Sequence, residues 1–164
     1  MALIRYLRHI DYSKQNQNSM KILISIDSSE SAKLVLQEAQ VFLKGFAAAE
    51  IHVFTVIDMT MIAVGHDDNE SILMEKLQRE ANDLVNVTSE ILGDRGFVFS
   101  SEIGYPVEEI IEKVKSLDCD LLIMGTHGRT GFDHLIMGSV AEKVLRSCGC
   151  NTLIIPMKHK VSEK

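Results

Sequence analysis

The sequence predicts a doubly wound α/β domain on a parallel sheet, and three observations carry the prediction. Short apolar runs rich in β-branched residues alternate with longer stretches of helical period, the pattern of successive βαβ units. Leu121 to Met124 is apolar at every position, as a strand covered on both faces requires. The chain has 164 residues, 46% of them hydrophobic. That length fits one domain at roughly 100 to 200 residues each, with enough apolar side chains for a real core.

The elements follow in order from Met20. Ile22 to Ile26 opens the series as the first strand. Ala32, Val35, Leu36, Ala39, Phe42 and Phe46 then share a helical face, with Asp27, Ser28 and Ser29 available to cap its start. Ile51 to Ile57 is the second strand. A loop with Gly65, Asp67 and Asp68 leads to a longer helix bearing Leu73, Leu77, Ala81, Leu84, Thr88 and Ile91, stopped by Gly93 and Gly96. Phe97 to Ser101 is the third strand. Pro106 suits a first helical turn, Glu108 and Glu109 complement the positive helix end, and Val107, Ile110, Ile111 and Val114 form the inner face. Leu121 to Met124 is the fourth strand. Ser139-Val140-Ala141-Glu142 has the spacing of a capping box, which predicts a last helix from Val140 to near Gly149. Thr152 to Ile155 closes the count at five strands and four helices.

Residues 20–157 are therefore one domain, with 158–164 as a C-terminal tail. Residues 1–19 form an N-terminal appendage expected to be flexible. Leu3, Ile4, Leu7 and Ile10 have helical spacing, so the appendage reads either as a short amphipathic helix or as a disordered lead-in.

Charge and cysteine usage narrow the function. Seventeen basic and twenty-three acidic residues give −6, with no block of like charge, which argues against a nucleic-acid partner. No apolar run approaches the ~18 residues of a membrane span, so no integral membrane association is expected. Three cysteines, Cys119, Cys148 and Cys150, do not make an even disulfide framework, and a reducing, cytoplasmic compartment is expected. Cys148-Gly149-Cys150 has neither zinc-knuckle nor thioredoxin spacing, and these thiols read as core residues. His66, Asp67, Asp68 and Glu70 read as a solvated loop entering a helix, so no metal site is assigned.

In open parallel sheets, ligands sit beyond the carboxyl ends of the strands where the winding reverses. Two loops there carry chemistry. The fourth strand is followed by Gly125-Thr126-His127-Gly128-Arg129-Thr130-Gly131, and then Gly138-Ser139 at a helix start. Glycines admit close backbone approach and helix-start amides point outward, which makes a phosphate cradle. After the first strand, Asp27 and Glu30 repel phosphate, and Asp27 suits a sugar hydroxyl or exocyclic amine. The plainer readings are a tight glycine loop, Ser139 as a cap paired with Glu142, and Asp27 as a helix cap. Arg129 reads first as a solvated charge, and His127 and His134 as solvent or packing residues.

The spacing Gly125-x2-Gly128-x9-Gly138-Ser139, followed by Val140-Ala141-Glu142-Lys143-Val144, resembles the ATP-binding motif of the nucleotide-binding branch of the universal stress proteins. Asp27 and Val56-Ile57-Asp58 are similar to that family's base and ribose contacts. The resemblance covers Met20 to Pro156. It implies a flavodoxin-like, Rossmann-type sheet of order 3-2-1-4-5 and a homodimer. It also implies an adenine-nucleotide site of Asp27, Val56, Met124, Gly125, Gly128, Arg129, Gly138, Ser139 and Val140. Val56 would meet adenine through its backbone, and Met124 the ribose. Asp133 and His134 stand where family members often carry a basic residue, which implies lower phosphate affinity.

The expected function is an ATP-binding, nucleotide-dependent stress-response regulator with an unidentified protein partner. Mg²⁺ arrives through the phosphates, since it keeps its waters and needs few protein ligands. No G-x4-G-K-[ST] loop is present and no base stands beside the expected γ-phosphate, so no catalytic residue is assigned and hydrolysis is at most weak. The alternatives are a slow ATPase or nucleotidyl-transferring enzyme using Asp27 or Asp58, and a dimeric interaction module that binds no nucleotide. The apolar strand Thr152 to Ile155 would lie at a sheet edge, and a bare edge invites two-fold pairing.

Overall fold

A computed structural model describes residues 5–6, 19–60, 70–126 and 137–156. Its sheet contains β1 (Arg5–Tyr6), β2 (Lys21–Ser25), β3 (Glu50–Asp58), β4 (Val98–Gly104), β5 (Leu121–Gly125) and β6 (Asn151–Ile155). Four helices lie wholly among the described residues, in chain order α1 (Ser31–Leu43), α2 (Glu70–Leu92), α3 (Pro106–Leu117) and α4 (Ser139–Ser147). The order across the sheet is β1-β6-β5-β2-β3-β4. Strands β2 to β6 are mutually parallel, and counted among themselves they have the order 3-2-1-4-5. The expected doubly wound fold is present.

Period-two alternation sends each central strand to two cores. Ile22, Ile24, Leu121 and Ile123 pack under α1 and α2, whereas Leu23, Leu122, Met124 and Ile154 pack under α3 and α4. Helix α1 buries Ala32, Val35, Leu36, Ala39 and Leu43 on one face. Phe46 lies beyond its end yet still packs against this core, stacked on Phe42 at 5.0 Å. Helix α2 stops at Gly93, whose φ of 61° is the left-handed value that glycine adopts without penalty. Pro106 opens α3 with Glu108 and Glu109 in its first turn. That helix ends at Asp118, a non-glycine residue at φ 53°. Aspartate is among the few side chains that tolerate this region.

Two expected caps do not form. The residue before α1 is Glu30, and no side chain caps the helix. Asp27 instead accepts from the Ser29 amide at 3.2 Å and from the Ser29 hydroxyl, so it shapes the turn that enters the helix. At α4 the helix begins one residue early, at Ser139, with Gly138 before it and no side-chain cap. Glu142 turns away from a capping box and pairs with Arg146 at 2.9 Å, one turn along an exposed helix face.

The appendage also differs from its helical reading. Arg5–Tyr6 pairs antiparallel with β6, with Arg5 opposite Leu153 and Tyr6 opposite Thr152. The edge predicted to be bare thus carries two residues of the same chain.

Candidate functional site

The winding reverses between β2 and β5. From β2 the chain proceeds to β3 on one side, and β4 returns across the sheet to β5 on the other. Their ladder, Ile22 opposite Leu121 through Ser25 opposite Met124, brings Asp27 and Gly125 to the same end of the sheet. A cavity of about 310 Å³ opens there. Small-molecule pockets typically enclose roughly 300 to 1,000 Å³.

Seven of the nine predicted site residues line this cavity: Asp27, Val56, Met124, Gly125, Gly138, Ser139 and Val140. Gly128 and Arg129 lie outside the described residues, as do His127, His134, Asp133 and the loop with His66, Asp67 and Asp68. Met124 is buried at the end of β5, and Val56 is half-buried near the end of β3. These two supply apolar wall.

The polar groups fall at two poles. At the first pole, Asp27 commits Oδ1 to Ser29. Asp58, at the end of β3, likewise accepts from the amide and hydroxyl of Thr60, at 2.9 and 2.7 Å. In each case one carboxylate oxygen organises a local turn, while the side chain faces the cavity. At the second pole the backbone donates. The Gly138 amide is used, bonded to the Thr126 carbonyl at 2.7 Å, and the Glu142 amide closes the first helical bond to Gly138 at 2.9 Å. Between them, the amides of Ser139, Val140 and Ala141 have no acceptor within the helix, and all three residues line the cavity. The Gly138 amide is therefore not among the outward-pointing donors at the start of α4.

The wall also contains residues that the sequence reading omitted. Leu77, Glu80, Ala81 and Leu84 reach the cavity from α2, and Ser25, Thr55 and Thr126 from the strand ends. Leu77, Ala81 and Leu84 were legible as an apolar helix face, but their place at the site depends on how α2 packs beside α1. Asp27, Asp58 and Glu80 put three carboxylates on the lining, and no Lys or Arg is among its described residues. An anionic ligand would therefore orient away from Asp27, toward the amide pole of α4. Among the described residues, no group of three His, Cys, Asp or Glu side chains is arranged to hold a metal ion. No helix among them is long and apolar enough to cross a membrane.

Comparison with known proteins bears on the family and the fold. The family model described as "Universal stress protein family" matches residues 18–156. Universal stress protein MJ0577 of Methanocaldococcus jannaschii is 32% identical over 159 residues, spanning 85% of this chain and 96% of that protein. A solved structure of MJ0577 superposes with a TM-score of 0.75, covering 87% of this chain and 99% of its own. Universal stress protein UspA from Lactobacillus plantarum superposes with a TM-score of 0.71 at 22% identity, covering 85% and 99%. A universal stress protein solved in complex with cAMP superposes with a TM-score of 0.62 at 16% identity, covering 87% and 100%. At their identities the last two speak for the fold.

Proposed function

The chain belongs to the universal stress protein family, and from that premise we propose that it binds ATP with Mg²⁺ in the cavity over the strand ends, as a nucleotide-dependent regulator of the stress response. One observation carries this reading: Asp27 and the first residues of α4, whose amides have no acceptor within the helix, line the same cavity. An adenine nucleotide has matching poles, neutral donors at its base and sugar and negative charge at its tail. Asp27 accepts from the nucleoside end, and Val56 and Met124 give the base and ribose apolar contact. The amides of Ser139 and Val140, with the Ser139 hydroxyl, hold the phosphates. Gly125 and Gly138 keep the backbone close, while Gly128 and Arg129 extend the grip.

The donor set fits a metal-bound nucleotide better than a bare one, because the described lining offers no cation to balance a triphosphate. Mg²⁺ held mainly by phosphate oxygens and water supplies that balance without a dedicated protein cage. A family member with cAMP bound in the same fold supports an adenine ligand. The protein works by binding rather than by turnover. Asp27 and Asp58 each hold a turn, and phosphoryl transfer needs positioned cations and an oriented nucleophile besides.

The regulated output is contact with a protein partner, made from a cytoplasmic homodimer paired through β6. Since β1 occupies Thr152 and Leu153 of that edge, dimer pairing and β1 compete for the same backbone groups.

Nucleotide retention tests the reading. Mass spectrometry of the supernatant from denatured protein is expected to find an adenine nucleotide, and added Mg-ATP to raise the melting temperature. At about 100 times Kd the stabilisation is roughly 2.7 kcal/mol, a shift of about 5 to 10 °C for a domain of this size. A protein that carries no nucleotide and melts unchanged would refute it.

A further inference from the structure

We propose that Cys148 and Cys150 are an oxidative modification site, joining in a reversible disulfide when the protein meets a hydroperoxide. All three cysteines of the chain come together at the end of the sheet where β5 and β6 begin, opposite the nucleotide cavity. The register that sets Leu121 beside Asn151 also brings Cys119, two residues before the first, toward Cys150, one residue before the second. Cys148 ends α4, its amide bonded to the Val144 carbonyl at 2.7 Å. Its Sγ lies 3.3 Å from Sγ of Cys150, and both residues are half-buried beside the core under α3 and α4. A disulfide spans about 2.05 Å, so closure needs an approach of about 1.3 Å. Gly149 between them has open space around its Cβ position, which leaves the link room to adjust.

Three facts separate this cluster from ordinary core thiols. The sulfurs already touch, Cys148 and Cys150 are open to solvent in part, and a third sulfur stands in reserve. Cys119 is itself buried and directs its Sγ at the Leu121 carbonyl at 3.1 Å. The hydrogen bond from Cys150 holds the Cys119 thiol below its ordinary value, although burial opposes this. The same bond pushes the Cys150 thiol up to about 12. The contact with Cys150, followed by burial, raises the Cys148 thiol. Cys119 is thus the most acidic thiol of the three, and Cys150 holds its proton as the hydrogen-bond donor toward it.

The chemistry balances with a hydroperoxide as oxidant. The Cys150 sulfur, its proton released to solvent water, attacks one peroxide oxygen; an S–O bond forms, the O–O bond breaks, and the departing hydroxide or alkoxide takes a proton from solvent to leave as water or alcohol. The Cys148 sulfur then attacks the sulfenic acid. An S–S bond forms, the S–O bond breaks, and hydroxide leaves with the Cys148 proton as a second water. Two thiols lose two hydrogens, and the peroxide is reduced. A thiol reductant reverses the product.

Peptide mapping tests the pairing. The purified full chain is treated with hydrogen peroxide, its remaining thiols are alkylated under denaturing conditions, and it is digested with trypsin. Cys148 and Cys150 share the peptide from Ser147 to Lys158, whereas Cys119 lies on the peptide from Ser116 to Arg129. The expected result is a Ser147 peptide lighter by two hydrogens and free of label, with Cys119 still alkylated. Dithiothreitol should restore full labelling. Cys119→Ser should retain this product and Cys148→Ser lose it. A cross-link between the two peptides, a disulfide between chains, or cysteines that remain fully alkylated after peroxide would each overturn the proposal.

Discussion

Gly138 enters α4 with φ −72° and ψ 157°, an extended conformation open to any residue. Its amide bonds to Thr126, whose own amide bonds to Ile155, so the loop end is tied to the sheet. Gly138→Val therefore keeps the chain path, while its added methyl groups crowd the cavity beside the Ser139 and Val140 amides. The expected outcome is a protein that melts like the parent without ligand but loses the Mg-ATP shift. Asp27→Asn keeps an oxygen for Ser29 and removes the charge. Titration calorimetry should show ATP affinity reduced by about 1.5 to 3 kcal/mol, the worth of a hydrogen bond to a charged group. Unchanged affinity would return Asp27 to a purely local role in its turn. At this scale the sequence was only partly legible. Aspartate, serine and glutamate stood at capping positions, but such side chains have several nearby partners, and Asp27 chose Ser29 while Glu142 chose Arg146.

Elements were more legible, because burial imposes its own periodicity. The five parallel strands lie within a residue or so of the apolar runs, except β4, which continues past Ser101 to Gly104 opposite Asp58. That extension was hidden because β4 is an edge strand whose alternation fades into exposed Glu102 and Ile103. Helix α1 gives a direct test of the inward face. Leu36 is fully buried, so Leu36→Ala should cost about 2 to 5 kcal/mol in a urea titration. Val41, on the same helix but 60% exposed, should tolerate alanine within about 0.5 kcal/mol. Similar losses at both positions would mean that the helix packs through a different face.

For the whole molecule, topology does what local pattern cannot. The cavity residues are drawn from all four helices and from several strand ends, and only the sheet order brings them together. Glu80 escaped notice for that reason, as did the meeting of Cys119 with Cys148 and Cys150. Strand β1 escaped because two residues carry no period. Its place on β6 bears on assembly. Light scattering should find a dimer, and removing residues 1–19 should tighten it by freeing Thr152 and Leu153. A monomer in both forms would contradict pairing through that edge. At the opposite end of the strands lies the proposed nucleotide site, which a crystal structure determined with Mg-ATP would resolve. Phosphate oxygens are expected within hydrogen-bonding distance of the Ser139 and Val140 amides, with the nucleoside turned toward Asp27. Ordered water alone in that space, or a nucleotide bound elsewhere, would contradict it.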